Sequence, residues 1–305
     1  MKPYKKLSLI LTFTISFLAA GYSRLLESDS LQNKQNFFNQ QSITADSKDR
    51  SLSKQDVWVW DYLKDKKRES YNYLLGDFNL AVERTKKTEM SPEEVLLLEE
   101  KNGELQTQNN QGEILMVTWT KKRFYTEKIV KLDRVTWLTA KPEVSRFCNE
   151  TAGLGGSLID LSREMMLDLR LTQYLGLIAE REPQDEKSYD SFVEIWVKKE
   201  NLTRPCSDGS IYTNKCSKID PEKLEKMRKE LFASAPKDYP FTGLGYTYDW
   251  GFTGYDYAYD SGKRPYVGAS EFVIKASKEK PVEVKVHSVT STKDYCKNNK
   301  IPAPE

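Results

Sequence analysis

Ile114-Leu115-Met116-Val117-Thr118-Trp119-Thr120 is the run that decides the fold class. It is apolar, β-branched and aromatic, and its length is that of a buried strand. Phe124 to Lys131 and Val135 to Thr139 have the same character, with charged breaks between them, so the three predict an antiparallel meander. Phe192 to Lys198 alternates as a strand, and Gly245 to Trp250, Glu271 to Ala276 and Val282 to Val289 extend the series. Val57-Trp58-Val59-Trp60 also alternates in strand fashion.

Helical spacing occurs between these runs. From Asp61 to about Glu83 the apolar positions Tyr71, Leu74, Leu75, Phe78 and Val82 recur on one face. Ser91-Pro92-Glu93-Glu94 carries an N-cap residue, a first-position proline and first-turn acids, which predicts a helix ending by Asn102-Gly103. A further helix is expected from Ser157 to Leu175, with Gly176 as its left-handed terminator. Asp220-Pro221-Glu222 opens another, with Leu224, Met227 and Leu231 on its face. Strands grouped around separate helices, without βαβ alternation, give an α+β fold: an antiparallel sheet with several packed helices.

Upstream of all this, Lys2, Lys5 and Lys6 precede an uncharged run from Leu7 to Ala20 and the small residues Ala19-Ala20-Gly21. This is the layout of a secretory signal peptide, over residues 1–23. Fourteen uncharged residues fall short of the roughly 20 that a spanning helix needs, so no transmembrane span is expected after cleavage. Residues 24–56 are polar and read as a flexible tether, 57–299 as the main α+β domain and 300–305 as a tail. The chain has 47 basic and 45 acidic residues; 47 less the three lysines of the signal leaves 44. A near-neutral exported protein has no global field for nucleic acid or anionic membrane, and no nucleic-acid partner is expected.

Export makes the four cysteines disulfide partners. Three pairings are possible. The short, turn-rich loop from Cys206 to Cys216 favours a local bridge there, which leaves Cys148 with Cys296. A four-thiolate zinc site lacks its C-x-x-C spacing, and one histidine, His287, rules out multi-histidine metal centres. Gly153-Leu154-Gly155-Gly156 is neither a P-loop nor a dinucleotide fingerprint. No metal and no cofactor are expected.

Tyrosine is concentrated locally: seven of 17 fall between Tyr239 and Tyr266. Tyr246, Tyr248 and Trp250 are spaced by two, as are Tyr255, Tyr257 and Tyr259, so two strands joined by a turn would present two aromatic rows. Such rows stack on sugar rings if exposed and form core if buried. The ligand-binding candidates are Tyr246, Tyr248, Trp250, Tyr255 and Tyr257. The alternative chemistry is hydrolysis by a carboxylate pair, with Glu194, Asp208, Asp249 and Glu271 as candidates. A binding module predicts Tyr248 and Trp250 exposed and no pair of acids in a cleft; a hydrolase predicts a concave pocket with two carboxylates about 5–9.5 Å apart.

Leu169-Arg170-Leu171 through Leu175-Gly176-Leu177, Phe192 to Val197, Arg204-Pro205-Cys206-Ser207-Asp208, Gly245 to Gly251 and Ser270 to Ile274 together resemble segments of a group of uncharacterised exported bacterial proteins, cyanobacterial ones among them. The resemblance covers roughly Val135 to Ala276 and implies no activity. Relative to that group, Phe252 to Tyr266 looks like added chain. The sequence therefore predicts a secreted or periplasmic, disulfide-stabilised protein that binds a surface glycan or a protein, with an extracellular hydrolase as the alternative.

Overall fold

The computed structural model describes residues 58–98, 112–121, 124–151, 161–178, 189–232, 239–251 and 266–298, all within the unit formed by Gln55–Gly155 and Leu161–Glu305. The strand run read first, Glu113–Thr120 (β1), is buried along most of its length. It pairs antiparallel with Ser191–Lys198 (β4) from Glu113↔Lys198 to Thr120↔Ser191. Four further strands complete the sheet: Ile129–Leu132 (β2), Thr136–Ala140 (β3), Phe272–Ile274 (β7) and Val282–Ser291 (β8), in the order β2-β8-β4-β1-β3-β7. Every pairing is antiparallel. Tyr246–Tyr248 (β5) and Val267–Ser270 (β6) form a separate two-stranded ribbon.

Among the described residues six α-helices accompany the strands: Val59–Lys66 (α1), Arg68–Lys86 (α2), Lys141–Thr151 (α3), Arg163–Tyr174 (α4), Pro221–Leu231 (α5) and Thr292–Asn298 (α6). The α+β class is therefore observed. Alternation along the strands gives the sheet two buried faces. On one, Ile114, Met116, Leu138, Ala140, Val193, Ile195, Phe272 and Ile274 join Leu98, Tyr125, Leu202 and Ile211 from connecting segments. On the other, α6 covers β4: the Tyr295 ring lies 4.4 Å from Phe192, and Trp119 Nε1 donates to Thr292 Oγ1 at 2.9 Å. Disulfides Cys148–Cys296 and Cys206–Cys216 are both formed, the first joining α3 to α6.

Several local expectations give way to tertiary pairing. Val59 and Trp60 open a helix rather than a strand, burying Val59, Trp60 and Leu63 on one face; four alternating residues cannot separate the two periods. The long helix is divided at Lys67 into α1 and α2. Ser91 to Leu98 is extended, not helical. Glu94 bridges Lys215, Val95 N–H donates to the Asn214 carbonyl and Leu96 N–H to Ser270 Oγ. A cap is worth about 1 kcal/mol, less than the roughly 1.5–3 kcal/mol gained for each large apolar side chain buried, here Val95 and Leu98. There is no meander, because β2 crosses to pair β8 on the far edge. Its exposed Ile129 and Lys131 suit an edge strand. Helix α3 follows β3 without a loop, its Pro142 and Glu143 supplying a start signal that the sequence reading passed over.

Other local signals hold. Gly176 past the end of α4 has φ +61° as expected, but the helix starts at Arg163 and its cap is Ser162, which accepts from Met165 N–H, rather than Ser157. Asp220 caps α5 by accepting from Glu222 and Lys223 N–H. The start of the expected Ser157 helix lies outside the described residues, as does the second tyrosine row, Tyr255, Tyr257 and Tyr259.

Candidate functional site

β1 and β3 share only two paired positions, Met116↔Ala140 and Val117↔Thr139. Beyond them β1 continues along β4 to Thr120, while β3 begins at Thr136 along β7. The sheet parts there, and a cleft of about 470 Å³ lies between the parted strands. Val117 to Lys121 line one side and Arg134 to Thr139 the other. Leu175 to Leu177, Tyr189, Phe232, Tyr239, Tyr248 and Glu271 also line it. Its volume is within the range of small-molecule sites, roughly 300–1,000 Å³.

Two ring groups face this space. Trp137 stacks on Phe232 at 4.8 Å, and Phe232 on Tyr239 at 4.9 Å. Across the parted strands, Trp119 packs against Tyr189 at 5.1 Å. Trp137, Tyr189, Phe232 and Tyr239 are half-buried, whereas Trp119 is buried. At the rim, the Arg134 guanidinium lies over the exposed Phe124 ring at 5.0 Å. Burial holds the Tyr125 phenol above its usual range, partly offset by Arg134.

Glu271 is the polar anomaly of the cleft. Its N–H donates to the Gly245 carbonyl, which fixes the backbone between β6 and β7. Its Oε2 is buried without a hydrogen-bond partner among the described residues. Burial alone pushes this carboxyl up to about 8, so it carries a proton at neutral pH. A second carboxylate, Glu230, lines the cleft and pairs with Lys275 at 2.9 Å.

The aromatic row proposed from sequence is not a platform. Tyr246, Tyr248 and Trp250 are 0%, 5% and 3% exposed, which corrects the expectation that Tyr248 and Trp250 stand in solvent. Trp250 packs on Trp60 at 5.5 Å and Phe78 at 5.4 Å, and its Nε1 donates to the Leu177 carbonyl. Tyr246 donates to the Ser91 carbonyl, and Tyr248 accepts from Arg84. Helices α1 and α2 cover this row, a packing that its period-two spacing does not disclose. Tyr248 alone of the three also lines the cleft, and its phenol is raised by burial.

The four acids singled out from sequence stand in separate environments. Asp249 is buried in a two-point pair with Arg170, at 3.3 and 3.0 Å, and accepts from Gly251 N–H. Glu194 is buried on the sheet with Lys141 at 2.9 Å, Ser288 Oγ at 2.9 Å and the Tyr295 hydroxyl at 3.2 Å; His287 Nε2 is 3.7 Å away. Burial, then the Glu194 charge, raises the Tyr295 phenol. Asp208 is exposed and holds a turn by accepting from Ser210 N–H. It lies beside Cys206 and Cys216, whose sulfurs are bonded to each other and so are not thiolate ligands. Only Glu271 lines the cleft.

Sequence reading missed the cleft's other contributors. Trp137, Phe232 and Tyr239 look like ordinary core residues, and it is at the parting of β1 from β3 that they line a cleft. Arg204 was equally unmarked. It is fully buried, donates to the carbonyls of Leu96, Ser210 and Gly245, and lies 4.5 Å over the Phe272 ring. Burial lowers it to about 10, so it stays charged. No family model, curated protein or solved structure matches the chain.

Proposed function

We propose that the protein is an exported, non-catalytic binding protein that takes a glycan in the cleft between β1 and β3. The observation that carries this reading is that two ring groups and the Glu271 carboxyl line one space of about 470 Å³. Aromatic faces cover the apolar faces of sugar rings, and a few placed polar groups fix their orientation. A space of this size suits one or two rings, whereas a protein partner needs roughly 800 Å² per side. Two disulfides and the N-terminal charge and hydropathy pattern support export. Among the described residues no helix is long and apolar enough to cross a membrane. The resemblance to exported bacterial proteins belongs to the same proposal.

The test is calorimetric titration with cellotetraose, chitotetraose and tetragalacturonic acid, beside Trp137→Ala and Tyr189→Ala, one from each ring group. Binding by the parent and at least tenfold weakening in either folded variant is expected. Absence of binding to all three, or full affinity in both variants, overturns the reading.

A second reading rests on one observation: Glu230 and Glu271 both line the cleft, one ion-paired and one protonated. Unlike carboxyls in one cleft are the apparatus of glycoside hydrolysis. Release of reducing ends from the same tetrasaccharides, lost in Glu271→Gln and Glu230→Gln, would establish it in place of simple binding.

A further inference from the structure

The charges that line the cleft are unevenly placed. Lys121 follows the end of β1 and Arg134 precedes the start of β3, and both line the space between the strands. Continued from Val117↔Thr139, the antiparallel register sets Lys121 across from Val135, the neighbour of Arg134. Two cations therefore stand at the same end of the cleft, where the strands part. Resting on the glycan-binding reading above, we infer that the cleft prefers acidic sugars, and that Arg134 receives the sugar carboxylate.

Arg134 is suited to this role. It is exposed, and its guanidinium lies over the Phe124 ring at 5.0 Å. A ring contact of this kind holds a cation in place without neutralising it. Among the described residues no carboxylate forms an ion pair with Arg134. The planar fork of guanidinium N–H donors matches the two oxygens of a carboxylate, and such charge-assisted pairs are about twice as strong as neutral hydrogen bonds. Lys121, 7% exposed, adds a second positive charge in surroundings of lower dielectric than water, where its field is less screened. The acidic groups of the lining do not cancel these charges. Glu230 of α5 is paired with Lys275, just past β7, at 2.9 Å, and burial keeps Glu271 protonated at neutral pH. The aromatic rings cover the faces of neutral and acidic sugars alike. Choice between the two then falls to the cations, since charge complementarity supplies specificity.

The test is titration of tetragalacturonic acid, cellotetraose and chitotetraose into the parent protein, Arg134→Gln and Arg134→Lys at neutral pH, with Trp137→Ala as the control for the cleft. Each titration is run at about 20 mM and about 500 mM NaCl, which lie on either side of physiological screening. At the lower salt the parent is expected to bind tetragalacturonic acid at least tenfold more tightly than either neutral sugar, and the higher salt should remove most of that preference. Arg134→Gln should lose the preference, and Arg134→Lys should keep part of it, because the charge stays while the fork is lost. Neutral sugars bound as tightly as the acid, or a preference for the acid that survives in Arg134→Gln, would overturn the inference; if Trp137→Ala still weakens binding, the cleft reading stands. No binding to any of the three, or binding indifferent to Trp137→Ala, overturns both.

Discussion

Glu271 holds its proton more tightly in the folded chain than in the unfolded one, where its carboxyl returns to about 4.5. Between these values the folded state binds more protons, so stability falls as pH rises. The contribution is complete below about pH 4.5 and is lost as pH climbs through about 8. Asp168, raised to about 7 by burial and then by Glu164, acts in the same direction, so the comparison must be between variant and parent. Glu271→Gln is expected to gain stability relative to the parent as pH rises from 5 to 9, as read from urea midpoints across that range; parallel curves would contradict the burial of a neutral carboxyl. Trp250→Ala is expected to cost about 3–5 kcal/mol by leaving a cavity against Trp60 and Phe78. A loss below about 1 kcal/mol would mean that the ring is exposed. Gly245→Ala should also destabilise, because Gly245 has φ +75° and an added Cβ would come within 2.6 Å of Arg204 Cδ.

At the scale of elements, strands with a long apolar run and helices with a capped start are readable from sequence. β1, β4 and β8, and the capped α5, are of this kind. What sequence does not encode locally is partnership. Ser91 to Leu98 has a strong helix start, yet it lies extended because Asn214, Ile211 and Ser270 offer hydrogen bonds to its backbone. β2 has the composition of a neighbour of β1 but pairs β8. The disulfides join elements over very different spans, 148 residues for Cys148–Cys296 and 10 for Cys206–Cys216. Loop-closure entropy then predicts a loss of about 5 kcal/mol for the double Ala variant of the first and about 3 kcal/mol for that of the second. Denaturant unfolding of the two variants checks the order; equal losses would show that the long loop is already constrained in the unfolded chain.

At the scale of the molecule, the candidate site arises where two strands of one sheet stop pairing. Of its contributors, Glu271 was visible in the sequence as one acid among many. Trp137 and Phe232 were invisible because an aromatic residue on a strand or after a helix looks the same in a core and in a cleft; Tyr239 stood out only as the first residue of the tyrosine-rich stretch. The tyrosine row was conspicuous but belongs to the packing beneath α1 and α2. Binding in the cleft is tested most directly by a backbone amide NMR map with chitotetraose at pH 6. Shifts concentrated at Thr118 to Lys121, Arg134 to Leu138, Tyr239 to Phe241 and Glu271 are predicted. Shifts confined to residues outside the cleft, or no shifts with any of the three tetrasaccharides, would contradict the account.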